Sequence, residues 1–541
     1  MRRGVVAPVV VVAAAVLTGG WLLQRGVDRA ENVYLKVHLL QEVVDRVESS
    51  YVDKVDPGSL YHSAIDGLID DLHDPYSSFM EASDFENLRI QGIEGEYGGV
   101  GLEVIERDDY VTVVSPMPGT PGARAGIRGG DQFFEIEGQP ADTMNVDQAV
   151  ALLRGKPGSS VQVKMLRPGI DDPIPFTLTR EVIQLKAVPF ALMLEPGIGY
   201  VPLQSVLESS SAEMRSALDS LRTAGMKSVV VDLRGNPGGL LDQGIEVSDL
   251  FLDKGRSIVE TRGRAQDQNA TYKANLDDRY AGLSMIVLVD GGSASASEII
   301  AGALQDNDRA LLVGASTFGK GLVQSLYRLS GGNVLRLTTA RWYTPVGRSI
   351  NKDPDARFHP EGGGSLSLSG QFVAGPDLSG RPTYESVGGR RLYGGGGIAP
   401  DVFVMPDVLN ADEERAVRAL YRQNGTMSVA VFNYAVRYVQ DHPDLKPGFD
   451  LTAADLDSFY RRLPEWDVSV DRADFRAAHR FISYQLEREI ALQAWGDEGQ
   501  FLQERRFDKP LAKAVELLQG APSQDELLAR VTASAEASAG S

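Results

Sequence analysis

The chain has 541 residues, 43% of them hydrophobic, with 54 Lys and Arg against 74 Asp and Glu, for a formal net charge of −20. That length accommodates several domains and a large core, and the acidic balance excludes nucleic acid as the main partner. Cysteine is absent, which excludes disulfides, a thiol nucleophile and cysteine-ligated zinc or iron–sulfur sites.

The chain opens on Met1-Arg2-Arg3 and a nearly unbroken apolar run from Val5 to Leu23. As a helix that run would span about 28 Å, one hydrocarbon core, and its basic end would stay cytoplasmic. Residues 1–27 are therefore expected to be a cleaved signal peptide or a membrane anchor. Either way the body is exported: periplasmic, or anchored in the inner membrane and facing the periplasm.

Residues 28–87 read as an N-terminal helical region, with Leu35, His38, Leu39, Val43 and Val47 at helical spacing. From 88 to 182 short strands and turns take over. Gly98-Gly99-Val100-Gly101-Leu102 starts an alternating run, and Val111, Val113 and Val114 follow. Ala125-Gly126-Ile127-Arg128-Gly129-Gly130-Asp131 comes next; then Val146 to Leu153 predicts one short amphipathic helix, and Val161, Val163 and Met165 a last strand. The glycine loop, the Ala-Gly-Ile-Arg-Gly-Gly-Asp segment and the helix after it resemble a PDZ domain. By that resemblance the N–H groups of Gly98, Gly99, Val100, Gly101 and Leu102 would hold a peptide's terminal carboxylate, and the peptide would add as a strand. Val146, Ala149, Val150 and Leu153 are either groove lining or core.

Residues 183–405 alternate strands and helices, an α/β pattern. Ser210-x-x-Glu213 reads as a capping box, and Leu240 to Leu252 as a helix. Residues 351–396, rich in Gly, Ser and Pro, read as a long loop. Residues 406–530 are expected to form a C-terminal helical region and 531–541 a disordered tail.

The chemistry centres on Gly291-Gly292-Ser293-Ala294-Ser295-Ala296-Ser297-Glu298-Ile299-Ile300. A strand-like Ile286 to Val289 precedes it and an apolar helical pattern follows. A strand-to-helix corner presents a hydroxyl beside unpaired N–H groups. Lys320 lies 25 residues beyond Ser295 in a Gly-Lys-Gly turn. A serine hydroxyl needs a base. Of the six histidines, at 38, 62, 73, 359, 442 and 479, only His359 falls in the α/β region, inside the glycine-rich loop. That disfavours a Ser-His-Asp triad and leaves a lysine, which can serve if burial keeps its amine neutral. The expectation is a buried Lys320 without a carboxylate partner; the alternative is a solvated turn lysine.

Ser-Ala-Ser-Ala-Ser-Glu-Ile, Ala301 to Asp306, and Thr317-Phe318-Gly319-Lys320-Gly321 with Gln324 resemble the carboxyl-terminal processing, or tail-specific, proteases of peptidase family S41. Tyr343 to Ile350 and Gly396 to Asp401 resemble other segments of that family's core. The resemblance implies a multidomain protein: an α/β protease core, crotonase/ClpP-like, a PDZ domain ordered before it, and flanking helical regions. It implies Ser295 as nucleophile, Lys320 as general base and then acid, and Gln324 orienting the lysine. The N–H groups of Gly239 and Ala296 would form the oxyanion hole, whereas Asp232 and Arg234 read as structural. Protein C-terminal tails would be substrates, and no cofactor or metal is implied. The region after 405 resembles no segment of the family; its readings are homo-oligomer contacts, an adaptor-protein site or a cover for the core. The alternatives are a catalytically silent PDZ adaptor and a crotonase-like acyl-transforming enzyme.

Overall fold

The computed structural model describes residues 36–541 apart from 108–109, 168–169, 353–363, 376–377, 422–425, 522 and 540–541. The signal or anchor expected at 1–27 and His359 lie outside the described residues. Among those described, no helix is long and apolar enough to cross a membrane. The chain divides into two units, Met1–Ala82 with Gln324–Thr338, and Ser83–Val323 with Thr339–Ser541.

In the first unit, helix α1 (36–50) precedes α2 (Pro57–Asp70). The Asp56 carboxylate accepts from Ser59 N–H at 2.9 Å, and Pro57 occupies the first helical position, where its missing N–H costs nothing. The turn that the sequence places at Asp74 to Ser78 is present, and only the strand that follows it was not expected. Asp74 accepts from the Ser77 hydroxyl at 2.6 Å and turns the chain into strand β1 (Ser78–Met80), which pairs antiparallel with Val334–Arg336.

Helix α3 (Ala82–Arg89) leads to the PDZ-like domain. Strand β2 (Glu96–Gly99) pairs with β9 (Glu181–Gln184) and brackets the domain at its base. Between them run β3 (Leu102–Arg107), β4 (Tyr110–Pro116), α4 (Pro121–Arg124), β5 (Gln132–Ile136), β6 (Gln139–Pro140), α5 (Val146–Leu153), β7 (Ser160–Arg167) and β8 (Ile170–Thr179). The sheet order is β3-β4-β5-β7-β8, with β6 on β5. Val111, Val113, Phe133, Val161, Val163 and Met165 fill its core at the two-residue period of a strand. Asn145 and Gln148 cap α5 reciprocally, at the boundary the sequence indicated. Strand β8 was not anticipated. Pro173 and Pro175 disguise it, and it forms because it lies at the sheet edge, where proline is tolerated.

The α/β core is built on β10 (Leu192–Glu195), β11 (Ile198–Pro202), β12 (Ser228–Asp232), β15 (Ser284–Val289), β16 (Leu311–Gly314) and β23 (Val402–Phe403), in that spatial order. All neighbours from β11 onward are parallel, and β10 is antiparallel. Val229, Val231, Val287 and Val289 face helices α6 (Ser210–Thr223), α7 (Leu241–Asp249) and α8 (Ala296–Asp306). The alternate residues, Val230, Ile286, Leu288 and Val313, pack on Leu511, Ala514 and Leu518 of the C-terminal region. Burial on both faces explains why these strands read as continuous apolar runs. An antiparallel layer, β13 (Ser257–Gly263) with β14 (Ala270–Lys273), pairs with Ala340–Tyr343 of β18 (Val334–Tyr343).

Two local expectations are corrected. Ser210 and Glu213 make no capping box: the Ser210 hydroxyl accepts from Leu207 N–H, and the Glu213 carboxylate from Val188 N–H. The 351–396 segment is not wholly loop, since β19 (Ser365–Leu366) with β20 (Phe372–Val373) and β21 (Thr383–Glu385) with β22 (Arg391–Tyr393) form two short hairpins. The C-terminal region comprises α9 (Ala411–Leu420), α10 (Thr426–Asp441), α11 (Ala453–Arg462), α12 (Arg472–Ala477), α13 (His479–Glu504), α14 (Lys509–Gly520) and α15 (Gln524–Ala539). Helix α15 continues to Ala539 where a disordered tail was expected, its Ala and Glu content favouring helix.

Arg348 anchors the second hairpin. Its fully buried guanidinium pairs with Asp306 and donates to Gln305 Oε1 and to the Tyr393 carbonyl, each at 2.9 Å. Arg348→Met would strand Asp306 as an unpaired buried charge, a change that typically costs about 3–5 kcal/mol. A lowered urea midpoint for the transition that unfolds this core is expected; an unchanged midpoint would show that the pair does not hold it.

Candidate active site

Three neighbouring parallel strands end at one place. The segment after β15 turns sharply: Asp290 Oδ1 accepts from Gly235 and Gly292 N–H, both at 2.9 Å, and Ser293 Oγ donates to the Leu233 carbonyl at 2.8 Å. Ser295 follows with φ 54° and ψ −117°, a backbone conformation that a residue bearing a Cβ adopts only under strain. Helix α8 starts at the next residue and is buried along its whole length. Ser295 itself is half-buried, at the mouth of the turn.

The segment after β12 lies against this corner. Gly238 has φ 90°, and a Cβ there would lie 2.5 Å from the Ala294 carbonyl oxygen and 2.8 Å from both Ser295 Cβ and Ala296 N. Gly239 has φ 150°, and its Cβ would meet the Val206 carbonyl oxygen at 2.1 Å. Only glycine fits either position. Among the described residues the N–H groups of Gly239 and Ala296 have no partner, while that of Gly238 is taken by Asn236 Oδ1 at 2.8 Å. Ala296 N–H is free because it belongs to the first turn of a helix.

The segment after β16 carries Lys320. Its N–H donates to Glu298 Oε2 at 2.8 Å and its carbonyl accepts from Trp342 Nε1 at 3.0 Å. Phe318 N–H donates to the Ser293 carbonyl at 3.0 Å. Glu298 joins the two segments: Oε2 also accepts from Ser295 N–H at 2.9 Å, and Oε1 accepts from Gly319 N–H at 2.7 Å and from the Thr317 hydroxyl. Burial pushes the Glu298 carboxyl up to about 7, and the four donors oppose that rise.

The structure thus brings together Ser295, Ala296, Gly239 and the backbone of Lys320. Lys320 is half-buried rather than buried, as the sequence led us to expect. Gln324 is placed in the first unit, on β17 (Leu322–Arg328), with Nε2 3.4 Å from Thr338 Oγ1. Ser293 supports the turn through Leu233, whereas the buried Ser297 Oγ has no hydrogen bond among the described residues. Glu298 was missed. Its signal was the Ser295-x-x-Glu298 spacing and a lone carboxylate inside an apolar helix.

In the PDZ-like domain, Gly101 has φ 69° and is pressed on Thr120, which would lie 2.3 Å from an added Cβ. The carbonyls of Val100 and Gly101 accept from Gly122 and Met117 N–H; their own N–H groups have no partner among the described residues. They open on a cavity of about 1620 Å³ that Val146, Val150 and Leu153 of α5 also line; Ala149 lies in the core. The cavity reaches Gln204 and Ser205, next to the Val206 that hydrogen-bonds the Gly238–Leu240 segment.

Comparisons with known proteins agree with this architecture. Residues 197–358 match peptidase family S41, 112–167 match the PDZ domain, and 23–84 match the activating protease CtpB N-terminal domain. The chain is 40% identical over 327 residues to a carboxy-terminal-processing protease of Bartonella bacilliformis, covering 60% of this chain and 74% of the relative. It is 36% identical over 317 residues to the carboxy-terminal processing protease CtpA of Bacillus subtilis, covering 59% and 67%. A solved photosystem II D1 C-terminal processing protease is 28% identical, covering 71% of this chain and 97% of that one at a TM-score of 0.36. The chain belongs to the carboxy-terminal processing proteases of peptidase family S41. It is a multidomain serine protease with a PDZ domain.

The Glu298 shift gives a signed prediction. With its pKa at about 7 in the fold against an ordinary 4.5, folded protein binds a proton there that unfolded chain releases. The resulting stabilisation is complete below pH 4.5 and is lost as pH rises through 7, by up to about 3 kcal/mol. Glu298→Gln should remove that part of the pH dependence, measured by urea denaturation at pH 5 and pH 8. The same dependence in variant and wild type would show that Glu298 is not its source.

Proposed function

We propose that this enzyme captures unstructured protein C-terminal tails on its PDZ domain and cleaves them with Ser295 as nucleophile and Lys320 as base. The observation that carries the reading is the strained Ser295 corner with two N–H groups, of Ala296 and Gly239, that have no partner among the described residues and lie on adjoining segments.

The neutral Lys320 amine takes the Ser295 Oγ proton as Oγ bonds to the scissile carbonyl carbon. The carbonyl oxygen becomes an oxyanion and accepts from Gly239 and Ala296 N–H, at the positive end of α8. As the carbon–nitrogen bond breaks, the Lys320 ammonium returns its proton to the leaving amine. Water then adds to the acyl-enzyme, with Lys320 again the base, and the acid product leaves as Ser295 is restored. Gln324 is assigned to orienting Lys320 in the cleaving enzyme. Of the Gly98–Leu102 segment, Gly98 and Gly99 are taken into β2 and Leu102 into β3, so the N–H groups of Val100 and Gly101 are assigned to the substrate carboxylate, and the apolar face of α5 to the side chains before it. The basic and apolar N-terminus supports an exported enzyme, periplasmic or held at the inner membrane. Its partners would include an adaptor protein and further copies of itself.

A folded reporter carrying an unstructured apolar tail tests the chemistry. Intact-mass analysis should show new termini with wild type, and turnover lowered about a thousandfold or more by Ser295→Ala or Lys320→Ala. Cleavage that survives both substitutions would exclude the dyad. Tail capture has its own test on the Ser295→Ala protein by fluorescence anisotropy. A free-acid tail peptide should bind at least about tenfold more tightly than its C-terminal amide, and Gly101→Val should abolish the difference. Equal affinities would remove the carboxylate from the recognition.

A further inference from the structure

The segment that presents Gly239 is held from outside the α/β core. It leaves β12 at Arg234, whose N–H donates to Asp232 Oδ1 at 2.9 Å. The Arg234 side chain folds back on the Asp232 carboxylate, with Nη2 at 2.6 Å from Oδ2. It also reaches across to the C-terminal helical region: Nη1 donates to Asp508 Oδ1 at 2.8 Å and Nη2 to Oδ2 at 2.7 Å, a bidentate fork. These three side chains are largely buried, at 22%, 8% and 15% exposure for Arg234, Asp232 and Asp508.

Each carboxylate is fixed independently. Tyr200 donates its hydroxyl to Asp232 at 2.7 Å and stacks on Phe501 of α13 at 4.2 Å. Burial, with Asp232 beside it, holds that hydroxyl well above its ordinary range, so it remains a donor. Asp508 caps α14, accepting from Leu511 N–H at 3.0 Å, and α14 is packed on the sheet through Leu511, Ala514 and Leu518. The guanidinium is therefore clamped between the strand end and a helix more than 270 residues away in sequence. Arg234 lies five residues before Gly239, and the segment between them is tied down at Gly235, Asn236 and Gly238.

We propose that Asp508 is a positioning residue for peptide cleavage: through Arg234 the C-terminal helical region sets the aim of the oxyanion-hole donor Gly239. The inference rests on the reading of Ser295 and Gly239 above. It makes the C-terminal region part of the catalytic apparatus rather than a cover for the sheet. It also makes Asp508 the point at which anything bound to that region alters turnover.

Asp508→Asn keeps a side-chain oxygen to cap α14 but loses the charge and the bidentate fork. In the full-length enzyme it should lower kcat at least tenfold, with KM for a tail-bearing substrate within twofold. A peptide boronate, which forms a tetrahedral adduct on serine, should lose affinity by about the factor lost in kcat. A product peptide should bind unchanged, and Asp508→Glu should recover part of the rate. The inference is overturned if kcat stays within twofold of wild type, or if boronate and product peptide lose affinity equally, as a general loosening would cause. Thermal unfolding of both variants identifies any loss of folded enzyme, and kcat is normalised to the folded, boronate-titratable fraction. Ser295→Ala in the same assay separates the two levels: if cleavage survives it, the assignment of the nucleophile fails, and this inference with it. If Ser295→Ala is silent while Asp508→Asn is fully active, only the positioning role is lost.

Discussion

Four hydrogen-bond donors converge on one carboxylate sealed from water. Glu298 is fully buried, and a charge in that position is tolerated only because Ser295, Gly319 and Lys320 N–H and the Thr317 hydroxyl all point at it. The same four bonds tie the corner that carries the serine to the turn that carries the lysine. Side chains on flexible turns would not keep the proposed nucleophile and base in register; here the positions of Ser295 and Lys320 are set by backbone groups on a common acceptor. Burial raises the carboxyl to about 7 while the donors favour its ionised form, so the joint is strong and close to its limit at neutral pH.

Topology explains why one carboxylate can do this. Strands β12, β15 and β16 are adjacent and parallel, so the segments leaving their carboxyl ends are neighbours. The first brings Gly239, the second Ser295, the third Lys320. Glycine at 238 allows the first two segments to touch, and Ser293 and Phe318 lock the second to its neighbours on either side. The opposite face of the sheet is covered by α14 and α15, and the Arg234–Asp508 fork runs from that cover to the active segment.

Much of this was legible in the sequence, and the parts that were not share a physical cause. The amphipathic α5 and the continuous apolar strands announce themselves because local pattern and burial agree. The serine corner was readable as small residues between a strand and a helix. Contacts between distant segments were not. Glu213 has capping-box spacing but serves Val188, and Glu298, with the same spacing, both closes its capping box at Ser295 and serves the lysine turn. Strand β8 hid behind prolines, and the hairpins within 365–393 behind glycines. Nothing local marks Asp508, because its meaning lies in an arginine on a distant strand end.

The central claim is that Glu298 holds Ser295 in a reactive arrangement. The direct measurement is the rate at which a fluorophosphonate, which bonds covalently to activated serine hydroxyls, labels wild type and Glu298→Gln, with the adduct located by peptide mapping. The account predicts labelling of wild type at Ser295 and a rate in the folded variant at least a hundredfold lower. Labelling of Ser295 at an undiminished rate in the variant would contradict it.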